Sequence, residues 1–103
     1  MGVKIVKPTL LVDHKRCDRN IQKIVTKISG TSTKLAPHFK THQSRTIGSW
    51  YRKYEITEIT VSSLDMAFYF ADDDWNDITV AIPVNVLQIQ EIRSLSERIN
   101  RLT

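Results

Sequence analysis

The residues best equipped for chemistry lie together in Lys34-Leu35-Ala36-Pro37-His38-Phe39-Lys40-Thr41-His42. This stretch holds two of the three histidines of the chain, with a lysine midway between them. Pro37 has no backbone N–H and biases Ala36 towards an extended conformation, so Lys34 to Lys40 reads as a strand. Side chains two apart on a strand share a face, which would point His38, Lys40 and His42 the same way. A lysine between two imidazoles at the end of a buried strand has a route to a lowered pKa, because desolvation and nearby positive charge both favour the neutral amine. That neutral amine is the form that attacks a carbonyl. The same residues also fit an ordinary basic surface. A third reading puts Pro37 at the first position of a helix, with His38 and His42 four apart on one face like zinc ligands. Phe39, however, stands where the H-E-x-x-H metalloproteases carry glutamate, and no metal ligand is assigned.

The elements that must position this stretch follow from periodicity. Pro8 introduces a short apolar strand, Thr9 to Val12, and Asp13 stands ready to cap a helix. From Lys15 to Ser29, Cys17, Ile21, Ile24, Val25 and Ile28 form one apolar stripe, and Gly30 ends the helix. After the lysine strand, a second helix from Ser44 to Tyr54 places Ile47, Trp50, Tyr51 and Tyr54 on one side as core. Ile56 to Val61 is β-branched and reads as a strand. Ser63 caps a helix from Leu64 to about Ala71. Ile78 to Ile82 is the next strand, stopped by Pro83. Asn85 caps a last helix whose Ile92, Leu95, Ile99 and Leu102 face inward, supported by a Glu97–Arg101 pair. Asp72, Asp74 and Asn76 copy the first ligand positions of an EF-hand loop. Asp77 and Pro83 stand where that loop needs glycine and glutamate, so the segment is an acidic turn. Alternating strands and helices with short connections mean a parallel sheet, with ligands at the C-terminal strand ends where Lys40, Ser62 and Pro83 fall.

At 103 residues the chain has room for one modest core. No apolar run approaches the roughly 20 residues needed to span a bilayer, and Met1 to Lys7 has no signal-peptide pattern. Neither a membrane association nor a leader is expected, and the single cysteine, Cys17, suits a reducing cytoplasm. The net charge of +4 hides an asymmetry: residues 1–54 carry 12 basic and 2 acidic side chains, residues 55–103 carry 3 and 9. The basic residues are scattered, without a basic block or an RNA-binding aromatic signature, so nucleic acid is not the expected partner. The two halves are expected to offset each other within one fold, with a phosphate-bearing ligand near the basic side.

Pro37-His38-Phe39-Lys40-Thr41-His42 resembles the P-H-x-K-T-H segment of the D-threonine aldolase/D-serine dehydratase family. Three further pieces agree in order and spacing: Pro8 to Asp13 followed by Arg19-Asn20-Ile21, Val61 to Ala67, and Asp77-Ile78 through Ile82-Pro83-Val84. Ala36, Gln43 and Met66 depart from the arginine, lysine and acidic residue common in that family. The resemblance implies an alanine-racemase-like barrel of pyridoxal-phosphate fold type III, in which Lys40 forms the Schiff base with pyridoxal phosphate. It places His38, Thr41 and His42 beside the cofactor and makes a D-amino acid the substrate. Cleavage of a β-hydroxy-D-amino acid, or loss of its β-hydroxyl, is the implied lyase reaction.

A complete (β/α)8 TIM barrel takes about 250 residues. The chain therefore reads as an α/β, partial (β/α)8 barrel: an N-terminal fragment with a leading strand and three parallel barrel strands, Lys34–Lys40, Ile56–Val61 and Ile78–Ile82. The resemblance implies that the leading strand joins a C-terminal β domain. It further implies that cofactor-phosphate ligands and a divalent metal site come from later segments, whose metal ligands this sequence lacks. Alone the chain is expected to be inactive, with a homodimer or a complementing C-terminal chain as partner. The alternative is a non-enzymatic pyridoxal-phosphate carrier or a remnant without function.

Overall fold

The computed structural model describes residues 2–103. Helix α1 (His14–Ile28) begins where the Asp13 carboxylate accepts a bond from the Arg16 amide at 3.0 Å. It ends at Ser29 followed by Gly30, whose φ of 77° is the left-handed conformation that glycine adopts without steric cost. Ile21 of the apolar stripe is buried, whereas Ile24 at its margin is exposed. Helix α2 (Arg45–Arg52) is capped by Ser44, whose hydroxyl accepts from the Ile47 amide. It stops short of the expected Tyr54, which lies in the following turn and reaches back to the Asp18 carboxylate of α1 through a 2.9 Å hydrogen bond.

Strands β1 (Glu58–Val61), β2 (Asp77–Val80) and β3 (Arg101–Leu102) form a parallel sheet in that order, joined by α3 (Leu64–Ala71) and α4 (Ile89–Arg98). The sheet's two faces differ. Ile59, Val61 and Ile78 alternate onto one face and are fully buried against α3 and α4, packed with Leu64, Ala67, Phe70, Leu95 and Ile99. Each of the larger side chains among them contributes about 1.5–3 kcal/mol of burial. Glu58, Thr60, Asp77 and Thr79 point to the other face and are only half-buried. Parallel sheets ordinarily have both faces covered. The radius of gyration is 15.7 Å, above the about 13 Å of a compact chain this long, and the exposed, irregular residues 2–13 add to it.

Four further expected elements differ. The Thr9–Val12 strand is irregular, exposed chain, since no backbone among the described residues lies beside it to form a ladder. The last helix ends at Arg98, so Leu102 lies in β3 rather than on a helix face, and Glu97 and Arg101 are not a helical pair. Ile99 is already extended (φ −116°, ψ 160°), and the Thr103 amide donates to the Ile78 carbonyl at 3.0 Å. Sheet pairing here overrides helical periodicity. The expected Lys34–Lys40 strand pairs only at His38, through a single parallel bridge to Thr60, and β2 runs Asp77–Val80 rather than to Ile82.

The acidic turn is observed, and it joins the charge-opposed halves. Arg45 faces Asp72 at 4.0 Å, Arg52 faces Asp73 at 3.4 Å, and Lys34 faces Glu58 at 3.6 Å. These pairs are largely solvated and contribute more to register than to stability.

Gly48 marks the closest approach in the core. A Cβ there would meet the Phe39 ring at 3.0 Å, and Phe39 is held by rings on several sides. Gly48→Ala gains about 1 kcal/mol of helix propensity. It is nevertheless expected to destabilise overall, because overpacking a filled core costs about 1–3 kcal/mol. A denaturant midpoint above wild type would contradict this.

Candidate active site

The lysine segment is fastened to the sheet by β1. The Thr60 amide donates to the Pro37 carbonyl at 2.9 Å, and the Thr60 hydroxyl donates to the Ala36 carbonyl at 3.0 Å. Pro37 supplies no N–H in return, and pairing ends one residue later. At His38 the chain leaves the sheet and winds into a 3-10 turn, Phe39–Thr41. The expected common face of His38, Lys40 and His42 therefore does not form. Phe39 points into the core, fully buried, while Lys40 and Thr41 are exposed and His38 and His42 are half-buried. Nor do the histidines lie on a helix, which removes the geometry that the zinc-like spacing would need.

Lys40 is where the strand reading puts it along the sheet axis but not in burial. His38 pairs with Thr60, one residue from the end of β1, so Lys40 stands at the C-terminal rim of the parallel strands. Exposure denies it the desolvation that a buried strand end would supply. Its ammonium makes no salt bridge among the described residues, which leaves the amine open to a solute.

Both histidines serve the backbone. The His38 Nδ1 accepts from the Lys40 amide at 3.3 Å, and the His42 Nδ1 accepts from the Ser44 amide at 3.0 Å. An imidazole that accepts at Nδ1 carries its proton at Nε2 when neutral. The His42 ring lies among Phe39, Tyr51 and Phe70, with centroids 4.5, 6.1 and 6.2 Å away, and its buried Nε2 has no hydrogen-bond partner among the described residues. Burial holds His42 below the ordinary histidine pKa, and burial with the charge of Lys40 does the same for His38.

These shifts have a sign in stability. Above about pH 7 both rings are neutral in either state. As pH falls below the ordinary value of 6.5, the unfolded chain takes up protons that the folded chain resists, so stability declines. Thermal midpoints measured from pH 8 to pH 5 are expected to fall in this window, well separated from the loss below 3.8 set by Asp13, Asp18 and Asp72. A midpoint flat to pH 5 would contradict the placement of these rings.

Thr60 is the site residue that sequence reasoning did not single out. It stands opposite His38 on the open face, with Thr79 next to it on β2. The signal was present: a polar β-branched residue alternating between Ile59 and Val61. Ser62 and Ser63 follow β1, and Ser63 caps α3 through the Met66 amide at 3.1 Å, as expected.

The fold is α/β, with parallel strands alternating with helices as in part of an alanine-racemase-like barrel. Solved structures bear this out. A D-threo-3-hydroxyaspartate dehydratase from a Delftia species superposes with a TM-score of 0.80 at 28% identity, over 84% of this chain and 23% of that one. An alanine racemase-like protein from Idiomarina loihiensis superposes with a TM-score of 0.84 at 22% identity, over 95% of this chain and 27% of that one. The chain thus spans about a quarter of the length of the solved structures it matches. No family model and no curated protein sequence matches it. The resemblance read from the P-H-x-K-T-H segment holds at the level of the fold. No helix of the described residues is long and apolar enough to cross a membrane, and no cluster of three potential metal ligands occurs among them.

Proposed function

We propose that the chain carries the lysine-bearing part of a pyridoxal-phosphate-dependent lyase acting on β-hydroxy-D-amino acids, of the D-threonine aldolase or D-serine dehydratase type. The observation that carries this reading is Lys40: an exposed primary amine without an acidic partner, at the C-terminal rim of a parallel sheet. The name of the dehydratase neighbour, for a D-configured β-hydroxy amino acid, supports the substrate class. A solute-accessible amine of this kind fits an aldehyde cofactor, and Lys40 would hold it covalently. His38 and Thr41 flank it on the same turn, and His42 closes the turn from below.

When bound, the cofactor supplies an electron sink for bond cleavage at the substrate α-carbon. The protein's own part is to hold the amine at the rim and, once the amine is released, to let it carry a proton between substrate positions. His38 fixes the turn, Thr60 anchors it to β1, and the Phe39 ring beneath excludes water from its underside. Turnover by this chain alone is not expected, and a partner would be a second copy or a chain that covers the open face. The free thiol of Cys17 suits a reducing compartment such as the cytoplasm.

The test is chemical. The purified chain is mixed with pyridoxal phosphate, reduced with borohydride and mapped by peptide mass. Label concentrated on Lys40 is the expected result. Label spread over the many exposed lysines would remove the site assignment, and release of glycine from D-threonine by this chain alone would overturn the expectation that it is inactive by itself.

A further inference from the structure

We propose that His38 is a positioning residue for Lys40, acting through the backbone as a side-chain cap of the turn that carries the amine. The inference rests on the reading of Lys40 as the covalent anchor and adds a role for His38 other than contact with a ligand. Its basis is a closed set of bonds. The His38 Nδ1 accepts the Lys40 amide at 3.3 Å, and the Thr41 hydroxyl donates to the His38 carbonyl at 3.3 Å. The backbone at His38 is itself held by the bridge to Thr60. One residue thus joins the bridge to β1 to the Lys40 amide inside the turn. Without the cap, the Lys40 amide would lose its only protein acceptor among the described residues, leaving the Thr41 hydroxyl as the remaining side-chain bond between the turn and His38. His42 repeats the arrangement one step on, accepting the Ser44 amide while the Ser44 hydroxyl accepts the Ile47 amide. Lys40 is therefore framed by two imidazole caps, one on the sheet side and one on the helix side. The first acts on its own amide.

Cap chemistry makes the idea separable from packing. Asparagine carries its Oδ1 on Cγ, where histidine carries Nδ1, so His38→Asn keeps an acceptor in reach of the Lys40 amide. Glutamine carries the same oxygen one carbon further out, and alanine has none. The readouts are hydrogen exchange of the Lys40 amide and the share of borohydride-trapped pyridoxal phosphate found on Lys40. Wild type and His38→Asn are expected to protect the amide alike. His38→Gln and His38→Ala should exchange about fivefold faster, the loss typical of a removed cap. The label on Lys40 should fall with protection and appear on other lysines.

Equal exchange in all four proteins would overturn the proposal, and so would an asparagine variant as fast as alanine, which would assign the effect to ring packing. Label that stays on Lys40 while protection is lost would overturn the positioning role. Should His38→Ala fail to fold, the asparagine and glutamine pair decides. Exchange that follows the cap in a wild-type chain never labelled at Lys40 would support the cap and refute the cofactor reading, so the two failures are distinct.

Discussion

Lys40→Ala is expected to abolish site-selective trapping of pyridoxal phosphate while leaving the thermal midpoint unchanged. The side chain is exposed and makes no ion pair among the described residues. Its truncation should therefore stay within about 0.5 kcal/mol in stability. Lys40→Arg sharpens the experiment. A guanidinium keeps the positive charge, so simple attraction of the cofactor phosphate would survive, but it does not condense with the aldehyde under these conditions. Loss of the reduced adduct in both variants, with the other lysines labelled only at background, identifies a covalent anchor. Retention of the wild-type label pattern in either variant would show that Lys40 is one surface amine among several.

Phe39→Ala should cost about 3–5 kcal/mol, the largest stability effect of any substitution in the lysine segment. Phe39 is fully buried, with ring centroids 4.8 Å from Phe70, 5.2 Å from Trp75 and 5.3 Å from Tyr51. It is the fully buried side chain through which the lysine turn, α2 and α3 share a single core. Stabilities of small domains run to about 5–15 kcal/mol, so the variant is expected to be partly unfolded or close to it, read by the denaturant midpoint and near-ultraviolet dichroism. Phe39→Leu, which fills most of the space without the ring edges, should lie between the two. A Phe39→Ala midpoint near that of wild type would mean that the segment is not packed as described.

The sequence was a good guide wherever one local signal decided the outcome. Asp13 and Ser63 cap their helices as expected, and α3 runs over the expected Leu64–Ala71. It was a poorer guide where distant backbone decided. Leu102 satisfies the spacing of a helix and equally that of a strand, and only the pairing of Thr103 with Ile78 chooses between them. Leu10 and Leu11 are apolar enough for a strand but have no neighbour to pair with. In the lysine segment the extended reading holds at His38, which bridges to Thr60. What alternation could not show was that His38 spends its ring on its own chain and turns the backbone at once, burying Phe39 and freeing Lys40. The identity of the rim lysine was legible in the motif; its exposure was not.

The register of the sheet bears on how the molecule assembles. Glu58 lies beside Asp77, two carboxylates at matching positions of adjacent strands. Like charges so placed oppose each other. Lys34 pairs with Glu58 from the segment before β1, and Arg101 stands in register beside Asp77 on β3, so both cations come from outside the β1–α3–β2 unit. A nascent β1–α3–β2 unit on its own is therefore an electrostatically discouraged nucleus. Cooperative closure of the sheet then waits for its outermost segments, and salt, by screening that repulsion, should hasten the refolding step.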